Sequence, residues 1–484
     1  MTIRFNFAAA SLAMIALVGC SKHTNQITSS EGVGMLAPMS QALTITDMSG
    51  APIANAKVMI GMKENAPFPG NVLTTDAQGQ IALPSGWTDA QPVTIDAPGF
   101  VRATYFATMP LTASLAVNRA IVPLRLELKG TAKSFTNVTK DKMMDIALLF
   151  PALPRTAVNT LSVGALISPE IDTISVMGQK MEIPSNVAIP KQTEDYIFPI
   201  TIEKDEFRMY FPTAGTWKVA AVHARFPFKK TVDALRSGKS FFEVINTFEF
   251  MEGSINDMSV SKSTQTSDIS VNTAPFTKSI AFAAPRYEQG FDMLALALSE
   301  QSGLFYVTDV KTMAPQAKEM LSAPKAGSGA ALVVAALRRQ GAPTEGAGVE
   351  ELSAVTLAAN QSVAFDFLPV VKAPALAGMT LNLDMPRTVA SVEPVMTYAI
   401  LNKVEKVGQG QMKLEQKTAQ WELFAPAWAG RLDLPEMSKL PSKSGDKFRW
   451  EVTFGGNFLG QGSMPASPAT LGRLSHITRS AADL

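Results

Sequence analysis

Apolar and polar residues alternate in short runs along most of this chain, and this pattern predicts β-strands. Leu43 and Ile45 alternate with polar neighbours, and Val58 and Ile60 resume the same period of two after a Ser-Gly turn. Successive side chains of a strand point to opposite faces of its sheet, so a period of two indicates a strand with one buried face. Similar runs recur toward the C-terminus between turns that contain Gly, Pro or Asp. The chain is therefore predicted to be mainly all-β, with tandem β-sandwich domains and a few short helices.

One stretch departs from this period and predicts a helix. Residues 240–248 place Phe241, Val244, Ile245 and Phe248 at helical spacing, and the stretch begins with the Ser-x-x-Glu sequence of a capping box. An apolar helical face of this kind either covers the open end of a β-sandwich or binds a membrane surface or a partner. We predict that it covers a core.

The spacing of the runs and the composition between them predict the order of the domains. A stretch rich in Ser and Thr and poor in large apolar residues is typical of a linker. The predicted order is a signal peptide at 1–19, a flexible tether at 20–38, a first β-sandwich at 39–128, a second β-rich domain with the short amphipathic helix at 129–255, a Ser/Thr-rich linker at 256–275, a third β-rich domain at 276–372, and a last β-sandwich with a polar tail at 373–484.

The first twenty residues, MTIRFNFAAASLAMIALVGC, have the layout of a secretory signal peptide. A basic Arg4 precedes an apolar run, and small residues precede Cys20, which is the usual order of the regions of such a signal. The run is short for a membrane span, which needs about 20 apolar residues. Cys20 is the only cysteine among the 484 residues, so no disulfide forms within the chain.

Leu17-Val18-Gly19-Cys20 resembles the lipobox of bacterial lipoproteins. The resemblance implies cleavage between Gly19 and Cys20, a diacylglyceryl group on the Cys20 sulfur, and a fatty acyl chain such as palmitate on the new amino group. Two or three chains hold a protein firmly at a membrane, whereas one chain holds it only marginally. The alternatives are a buried or accidental cysteine after an ordinary signal peptide, and an uncleaved anchor.

The residue after this cysteine bears on the membrane that receives the protein. It is Ser21 rather than Asp, and in the enteric-type sorting rule that the resemblance brings, this favours the outer membrane. We therefore expect a protein that is lipid-anchored at the outer membrane and faces either the periplasm or the cell exterior. Residues 21–36 are polar and rich in Ser, Thr and Gly, which is typical of a flexible tether.

The first predicted sandwich carries three turn motifs, GAPIANAKVMI, TTDAQGQIAL and VTIDAPGFV. Together they resemble the carboxypeptidase regulatory-like domain, a small transthyretin-like β-sandwich, over roughly residues 39–128. In carboxypeptidases this domain lies beside the catalytic domain and carries no catalytic residues, so the resemblance implies no catalytic site. The alternative is an unrelated small β-sandwich.

Charge and histidine content exclude several classes of function. Removal of residues 1–19 leaves 42 basic against 42 acidic residues, and nucleic-acid binding needs a concentrated basic face instead. His23, His223 and His476 are far apart in sequence and have no cysteine partner, so no zinc site and no cofactor are expected. A structural role is predicted for His223, in a strand, whereas His476 lies in the polar tail and is given no role. Asp76 is expected to cap a turn rather than bind calcium.

Three of the five tryptophans, Trp421, Trp428 and Trp450, lie in the last unit. Its short, Pro-flanked strands resemble a fibronectin type III sandwich in architecture. Exposed tryptophans can stack on sugar rings, so these three are the candidate ligand-binding residues. The alternative is that they fill the core, as large aromatic side chains usually do, and the alternation around Trp421 and Trp450 favours the core.

Motifs of the common enzyme classes are missing from the sequence. It has no Gly-x-Ser-x-Gly elbow, no Walker loop and no dinucleotide-binding glycine motif, so no catalytic residue is assigned and no enzyme is expected. We predict a lipid-anchored envelope protein that binds or scaffolds. Its expected partners are the membrane, through the lipid, and an envelope protein or glycan. The alternatives are a surface carbohydrate-binding or adhesive protein, and a hydrolase with an unusual carboxylate or serine site.

Overall fold

A computed structural model describes most of the chain beyond the N-terminal 41 residues. The described residues are 42–120, 126–133, 143–161, 170–176, 179–195, 199–237, 244–261, 263–271, 275–287, 290–314, 316–324, 329–339, 349–358, 365–407, 414–437, 445–462 and 464–484. Strands dominate these residues, and the three α-helices among them are short. The predicted all-β class is therefore confirmed.

Seven strands form the N-terminal unit, which we define as residues 42–120. They are β1 (Ala42–Asp47), β2 (Lys57–Ile60), β3 (Val72–Thr74), β4 (Gln80–Ala82), β5 (Gln91–Asp96), β6 (Arg102–Thr108) and β7 (Ser114–Val117). β1 lies between β4, to which it is antiparallel, and β7, to which it is parallel. This small sheet packs on β2, β5 and β6, and the core between them contains Leu43, Ile45, Val58, Ile60, Val93, Ile95, Leu115 and Val117. The alternation predicted at Leu43 and Ile45 is thus confirmed.

The middle of the chain forms three further sheets. Its elements are β8 (Leu126–Lys133), β9 (Met144–Pro151), β10 (Leu153–Pro154), α1 (Arg155–Asn159), β11 (Ile171–Val176), β12 (Gln179–Pro184), β13 (Val187–Asp195), β14 (Pro199–Lys204), β15 (Glu206–Phe211), β16 (Gly215–Phe226), α2 (Phe228–Arg236), a 3₁₀ turn (Ile245–Thr247), β17 (Glu249–Val260), β18 (Gln265–Thr266) and β19 (Ile269–Ser270). A five-stranded sheet runs β14-β13-β9-β16-β17, β8 pairs with β15, β18 and β19, and β11 pairs with β12. The apolar face of β15 and β8 covers one face of the five-stranded sheet, through Leu128, Phe207 and Phe211 against Leu149, Val219 and Ala221.

Gly130 in β8 leaves no room for a side chain. A Cβ at this position would lie 1.7 Å from the carbonyl oxygen of Ser267 and 3.2 Å from the ring of Phe207. Gly130→Ala is therefore expected to lower the free energy of unfolding by about 1–3 kcal/mol, as overpacking does, in urea denaturation. Gly430→Ala is the control, because its Cβ would make an ordinary contact with Met385 at 3.5 Å. Equal losses in both variants would contradict the prediction.

The remaining strands complete one large sheet and two small ones. They are β20 (Phe276–Ala283), β21 (Asp292–Gln301), β22 (Leu304–Met313), β23 (Lys318–Pro324), β24 (Gly329–Arg339), β25 (Val349–Ala358), β26 (Ala375–Ala377), β27 (Thr380–Asn382), β28 (Val392–Val407), β29 (Leu414–Pro426), β30 (Arg431–Asp433), β31 (Lys447–Phe458) and β32 (His476–Asp483), with α3 (Pro468–Leu471) before β32. The hairpin predicted around the turn at 300–303 is confirmed by β21 and β22.

Thirteen strands from three parts of the chain form the large sheet. Their order is β10-β22-β21-β24-β25-β32-β31-β28-β29-β6-β5-β2-β3. The small sheet of β20 and β23 covers β21 and β24 through Ile280 and Leu321. The small sheet of β26, β27 and β30 covers β28, β29 and β31 through Leu381 and Leu432. The ladder crosses the predicted boundary at 372/373, because β25 pairs with β32.

Two local predictions differ from the structure. The polar tail contains β32, whose Thr478 and Ser480 are buried. This strand lacks the apolar alternation that would predict it, and the backbone ladder stabilises it. The Ser/Thr-rich linker at 256–275 overlaps the end of β17 and includes β18 and β19. β17 pairs with β16 along its length, which satisfies its backbone groups without large apolar side chains.

The predicted amphipathic helix falls partly outside the described residues. Ser240 to Glu243 are not among them, and Ile245–Thr247 is a 3₁₀ turn. Val244 and Phe248 are nevertheless buried, and Phe248 stacks on Phe226 with ring centroids 4.9 Å apart. The longest described helix, α2, begins earlier and was not predicted, although Phe228 and Val232 mark its buried face.

Candidate functional site

Of the site residues predicted from the sequence, only the three tryptophans lie among the described residues. Gly19 and Cys20 lie outside the described residues. Trp421 and Trp450 are only 5% and 2% exposed, and Trp428 is partly buried with its Nε1 donating to the Gly455 carbonyl at 2.8 Å. Trp421 and Trp450 belong to the core under β27 and β30. They do not form an exposed sugar platform, and the alternative, that they fill the core, holds for both.

Trp421 leads instead to the contact between the N-terminal unit and the C-terminal sheet, which we call the junction. At the junction, β6 pairs in parallel with β29, with Arg102 opposite Trp421 and Tyr105 opposite Phe424. The two strands are about 300 residues apart in the chain and become neighbours in one ladder. The N-terminal unit is therefore joined to the C-terminal sheet by backbone hydrogen bonds, in addition to side-chain packing.

On one face of the junction, polar atoms join the two strands within an apolar core. The indole Nε1 of Trp421 donates to Thr104 Oγ1 at 3.0 Å, and Thr104 Oγ1 lies 2.9 Å from Thr94 Oγ1. The guanidinium of Arg102 lies over the Trp421 ring, 5.4 Å from its centroid, and pairs with Asp96 at 2.7 Å. A cation over an indole face is attractive, so these contacts fix the register of β6 against β29.

On the opposite face, a buried carboxylate takes hydrogen bonds from both sides of the junction. Glu422 in β29 is 3% exposed. Asn118 of the N-terminal unit donates its Nδ2 to both Glu422 oxygens at 2.9 and 3.0 Å, and Tyr398 in β28 donates its hydroxyl at 2.7 Å. Tyr105 stacks on Phe424 beside this group, with centroids 4.9 Å apart. A buried carboxylate persists only with such donors.

Burial governs the ionisation of these groups. Burial raises the pKa of Glu422, although the hydrogen bonds from Tyr398 and Asn118 work in the other direction. Burial, followed by the charge of Glu422, raises the pKa of Tyr105 and of Tyr398 well above the usual range. Both tyrosines therefore remain neutral at physiological pH; the Tyr398 hydroxyl donates to Glu422, and the Tyr105 hydroxyl donates to the Ala116 carbonyl.

A second buried carboxylate lies in the same row of the sheet. Ile400 in β28 pairs with Glu422 on one side and with Glu451 on the other, which separates the two glutamate Cα atoms by about 10 Å, or two strand spacings. Burial raises the pKa of Glu451, but the charges of Lys417 and Arg479 outweigh it and leave that pKa lowered. Each carboxylate thus has internal partners: neutral hydrogen-bond donors surround Glu422, and cations surround Glu451.

The other buried ionic cluster lies in the middle of the chain, on β9, β16 and β17. His223 is fully buried, with Nε2 2.7 Å from Asp145 Oδ1 and Nδ1 3.0 Å from Glu252 Oε1. Arg225 Nε also donates to Asp145. The structural role predicted for His223 is therefore confirmed. A polar residue inside the apolar run VAAVHARF was the sequence signal, because a strand buried on both faces must pair such a residue.

Asp76, the carboxylate that the sequence offered as a calcium ligand, has a structural role in a turn. Asp76 caps a turn, since its Oδ1 accepts from the backbone N–H groups of Gln78 and Gln80 at 2.9 and 2.8 Å. No group of three or more His, Cys, Asp or Glu side chains in the described ranges could hold a metal ion. In the same ranges, no helix has the length and apolar character to cross a membrane.

His476, which the sequence places in a polar tail, is buried in β32. Its Nδ1 lies 2.8 Å from Ser475 Oγ, its ring meets Phe458 edge-on at 4.6 Å, and its Nε2 has no hydrogen-bond partner within the described residues. Burial lowers the pKa of His476 from 6.5 to about 4. His476 therefore binds a proton less readily in the folded protein than in the unfolded chain.

This difference predicts a loss of stability in mild acid. Above pH 6.5 both states are neutral at His476 and the full stability is present; as the pH falls toward 4, only the unfolded state gains the proton. The loss is at most about 3 kcal/mol for this shift. His476→Asn is expected to flatten the decline between pH 6.5 and 4 in urea denaturation. The same decline in both proteins would contradict the prediction.

Comparisons with known proteins assign no family to this chain. No protein-family model matches the chain, and no curated relative matches it. The chain is similar to a streptococcal ancillary pilin with a TM-score of 0.14 and 9% identity, over 67% of this chain and 96% of that chain. It is also similar to native alpha-2-macroglobulin of E. coli with a TM-score of 0.12 and 8% identity, over 89% of this chain and 26% of that chain. At such TM-scores neither resemblance informs the fold or the function.

Proposed function

We propose that this protein is a lipoprotein held at the outer membrane through Cys20, with a binding or scaffolding role at the cell envelope. The junction is the observation that carries the scaffolding part of this proposal. The N-terminal unit begins at Ala42, the first described residue after the lipobox and tether, and its β6 continues into the large sheet through β29. A lipid on Cys20 would therefore position the whole thirteen-stranded sheet relative to the membrane.

The resemblance of residues 39–128 to the carboxypeptidase regulatory-like domain is part of the same proposal. A seven-stranded sandwich in this region supports a module that positions its neighbours and performs no chemistry of its own. The partner we propose is an envelope protein. A glycan is less well supported, because Trp421 and Trp450 are buried. Binding, with no catalytic step, is the activity we assign.

Replacing the lipobox cysteine tests the anchor. Cys20→Ala removes the sulfur that would carry the diacylglyceryl group, so the protein is expected to lose palmitate incorporation and to leave the outer-membrane fraction. The measurement is metabolic labelling with palmitate and separation of inner and outer membranes on a density gradient. A Cys20→Ala protein that still sediments with the outer membrane would contradict the proposed lipid anchor.

A neighbouring substitution is the matched control. Ser21→Asp keeps the acylated cysteine and changes only the residue that the enteric-type sorting rule reads. In such a host it should retain palmitate and move to the inner-membrane fraction. Loss of palmitate in Ser21→Asp would mean that the fractionation reports a processing defect and not sorting.

A further inference from the structure

One exposed apolar loop lies beside the point where the described chain begins. Met109 and Leu111 are 48% and 63% exposed, and they flank Pro110 in the loop between β6 and β7. Thr112 N donates to the Met109 carbonyl at 3.0 Å, which closes the loop into a turn. We call residues 109–111 the apolar tip. Two large apolar side chains are thus presented together to solvent by a turn with its own hydrogen bond.

The register of β1 fixes where the apolar tip lies. Thr44 N donates to the Ala113 carbonyl at 3.0 Å, and Thr44 is opposite Ser114 in the parallel pair of β1 and β7. Because the strands are parallel, the start of β7 and the start of β1 lie at the same end of the small sheet. The apolar tip is therefore at the end of the N-terminal unit from which residues 1–41 leave.

The charge around the apolar tip suits contact with hydrocarbon. No residue from Ala103 to Asn118 is charged, so insertion of the loop would bury no ion. Asp89 precedes β5, whose Gln91 pairs with Thr108. Lys63 and Glu64 follow Gly61, whose N–H donates to the Pro92 carbonyl, so the register brings these three charged residues toward this end. Their side chains are exposed and can remain in the headgroup region.

The chain between the lipobox and β1 limits how far the apolar tip can stand from a membrane. Ala42 is 22 residues after Cys20, so the chain between them spans at most about 75 Å, and a coil of this length has a typical end-to-end distance of about 26 Å. A tether of this length keeps the apolar tip at a high effective concentration near the bilayer. Modest apolar contact is then enough for frequent insertion.

We propose that the apolar tip inserts into the lipid bilayer to which Cys20 is anchored, so that the N-terminal unit stands on the membrane in one orientation. This inference rests on the proposed lipid anchor. It adds a second membrane contact to the acyl chains and defines which end of the unit faces the lipid. The large sheet joined at the junction is then held at a set angle to the membrane.

Single-cysteine labelling tests the orientation in the full-length, acylated protein. In the mature chain an introduced cysteine is the only free thiol, because Cys20 is the only cysteine in the sequence and its sulfur is acylated in the proposal. Met109→Cys and, separately, Leu111→Cys carry an environment-sensitive fluorophore. Met48→Cys is the matched control, since Met48 is 43% exposed and follows Asp47 at the opposite end of β1.

The labelled proteins are reconstituted in phosphatidylethanolamine–phosphatidylglycerol vesicles with and without spin-labelled lipid. The expected result is a blue-shifted emission at positions 109 and 111 that spin-labelled lipid quenches, with no such loss of emission at position 48. Equal emission at all three positions, in protein that floats with the vesicles, would overturn the inference and leave the anchor intact. A blue shift without lipid quenching would assign the apolar tip to a second protein molecule and also overturn it. An unacylated Cys20 by mass spectrometry would remove both proposals.

Discussion

His223→Leu is expected to lower the free energy of unfolding by about 3–5 kcal/mol, the usual effect of removing a partner from a buried charged group. His223 lies between Asp145 and Glu252, and all three side chains are almost fully buried. Without the imidazole, Glu252 loses this partner, while Asp145 keeps Arg225. The measurement is urea denaturation of the purified protein at neutral pH.

An exposed ion pair provides the control for this prediction. Lys133 and Asp268 form an ion pair with side chains that are 58% and 45% exposed. Asp268→Asn is expected to leave the free energy of unfolding nearly unchanged, because water screens exposed pairs. Equal effects of His223→Leu and Asp268→Asn would show that burial of the His223 cluster contributes nothing.

The second large effect is expected at the junction. Glu422→Ala leaves the buried Tyr398 hydroxyl and the partly buried Asn118 amide without their acceptor, and an orphaned buried donor costs about 1–3 kcal/mol. The free energy of unfolding should therefore fall by about 2–5 kcal/mol. The same variant should accelerate amide hydrogen exchange in β6 and β29, because Asn118 no longer holds the two sides of the junction together.

Glu422→Gln separates loss of the acceptor from loss of the charge. The amide oxygen keeps one acceptor for Tyr398 or Asn118 in nearly the same volume, and burial already raises the pKa of Glu422. The glutamine variant is expected to lose less than half of what the alanine variant loses. If both variants lose the same stability, or if exchange in β6 and β29 stays unchanged in Glu422→Ala, the junction does not depend on this carboxylate.

Local pattern predicts much of the strand content of this protein, because it reports burial on one face of each strand. The stretch EFRMYF alternates apolar and polar residues and forms β15, with Phe207, Met209 and Phe211 buried. β32 escaped prediction because Thr478 and Ser480 are buried polar residues. Its ladders to β25 and β31, and not apolar alternation, hold it in the sheet.

Long-range pairing could not be derived from the same pattern. The parallel contact of β6 with β29 joins segments about 300 residues apart, and no short turn between them predicts the pairing. The alternation around Trp421 favoured a buried side chain but could not show what it contacts: Trp421 lies where the N-terminal unit meets the C-terminal sheet, and its indole donates to Thr104. Glu422 carried a weaker signal, as a charged residue on the inward-facing position of an alternating strand beside Phe424.

The mass of the N-terminal peptide of the mature protein, extracted from membranes, tests the lipid anchor most directly. The peptide is predicted to begin at Cys20 and to carry a diacylglyceryl group on the sulfur and an acyl chain on the amino group. A mature protein that begins at another residue, or one whose Cys20 has a free thiol, would contradict the anchor and, with it, the proposed positioning of the large sheet at the membrane.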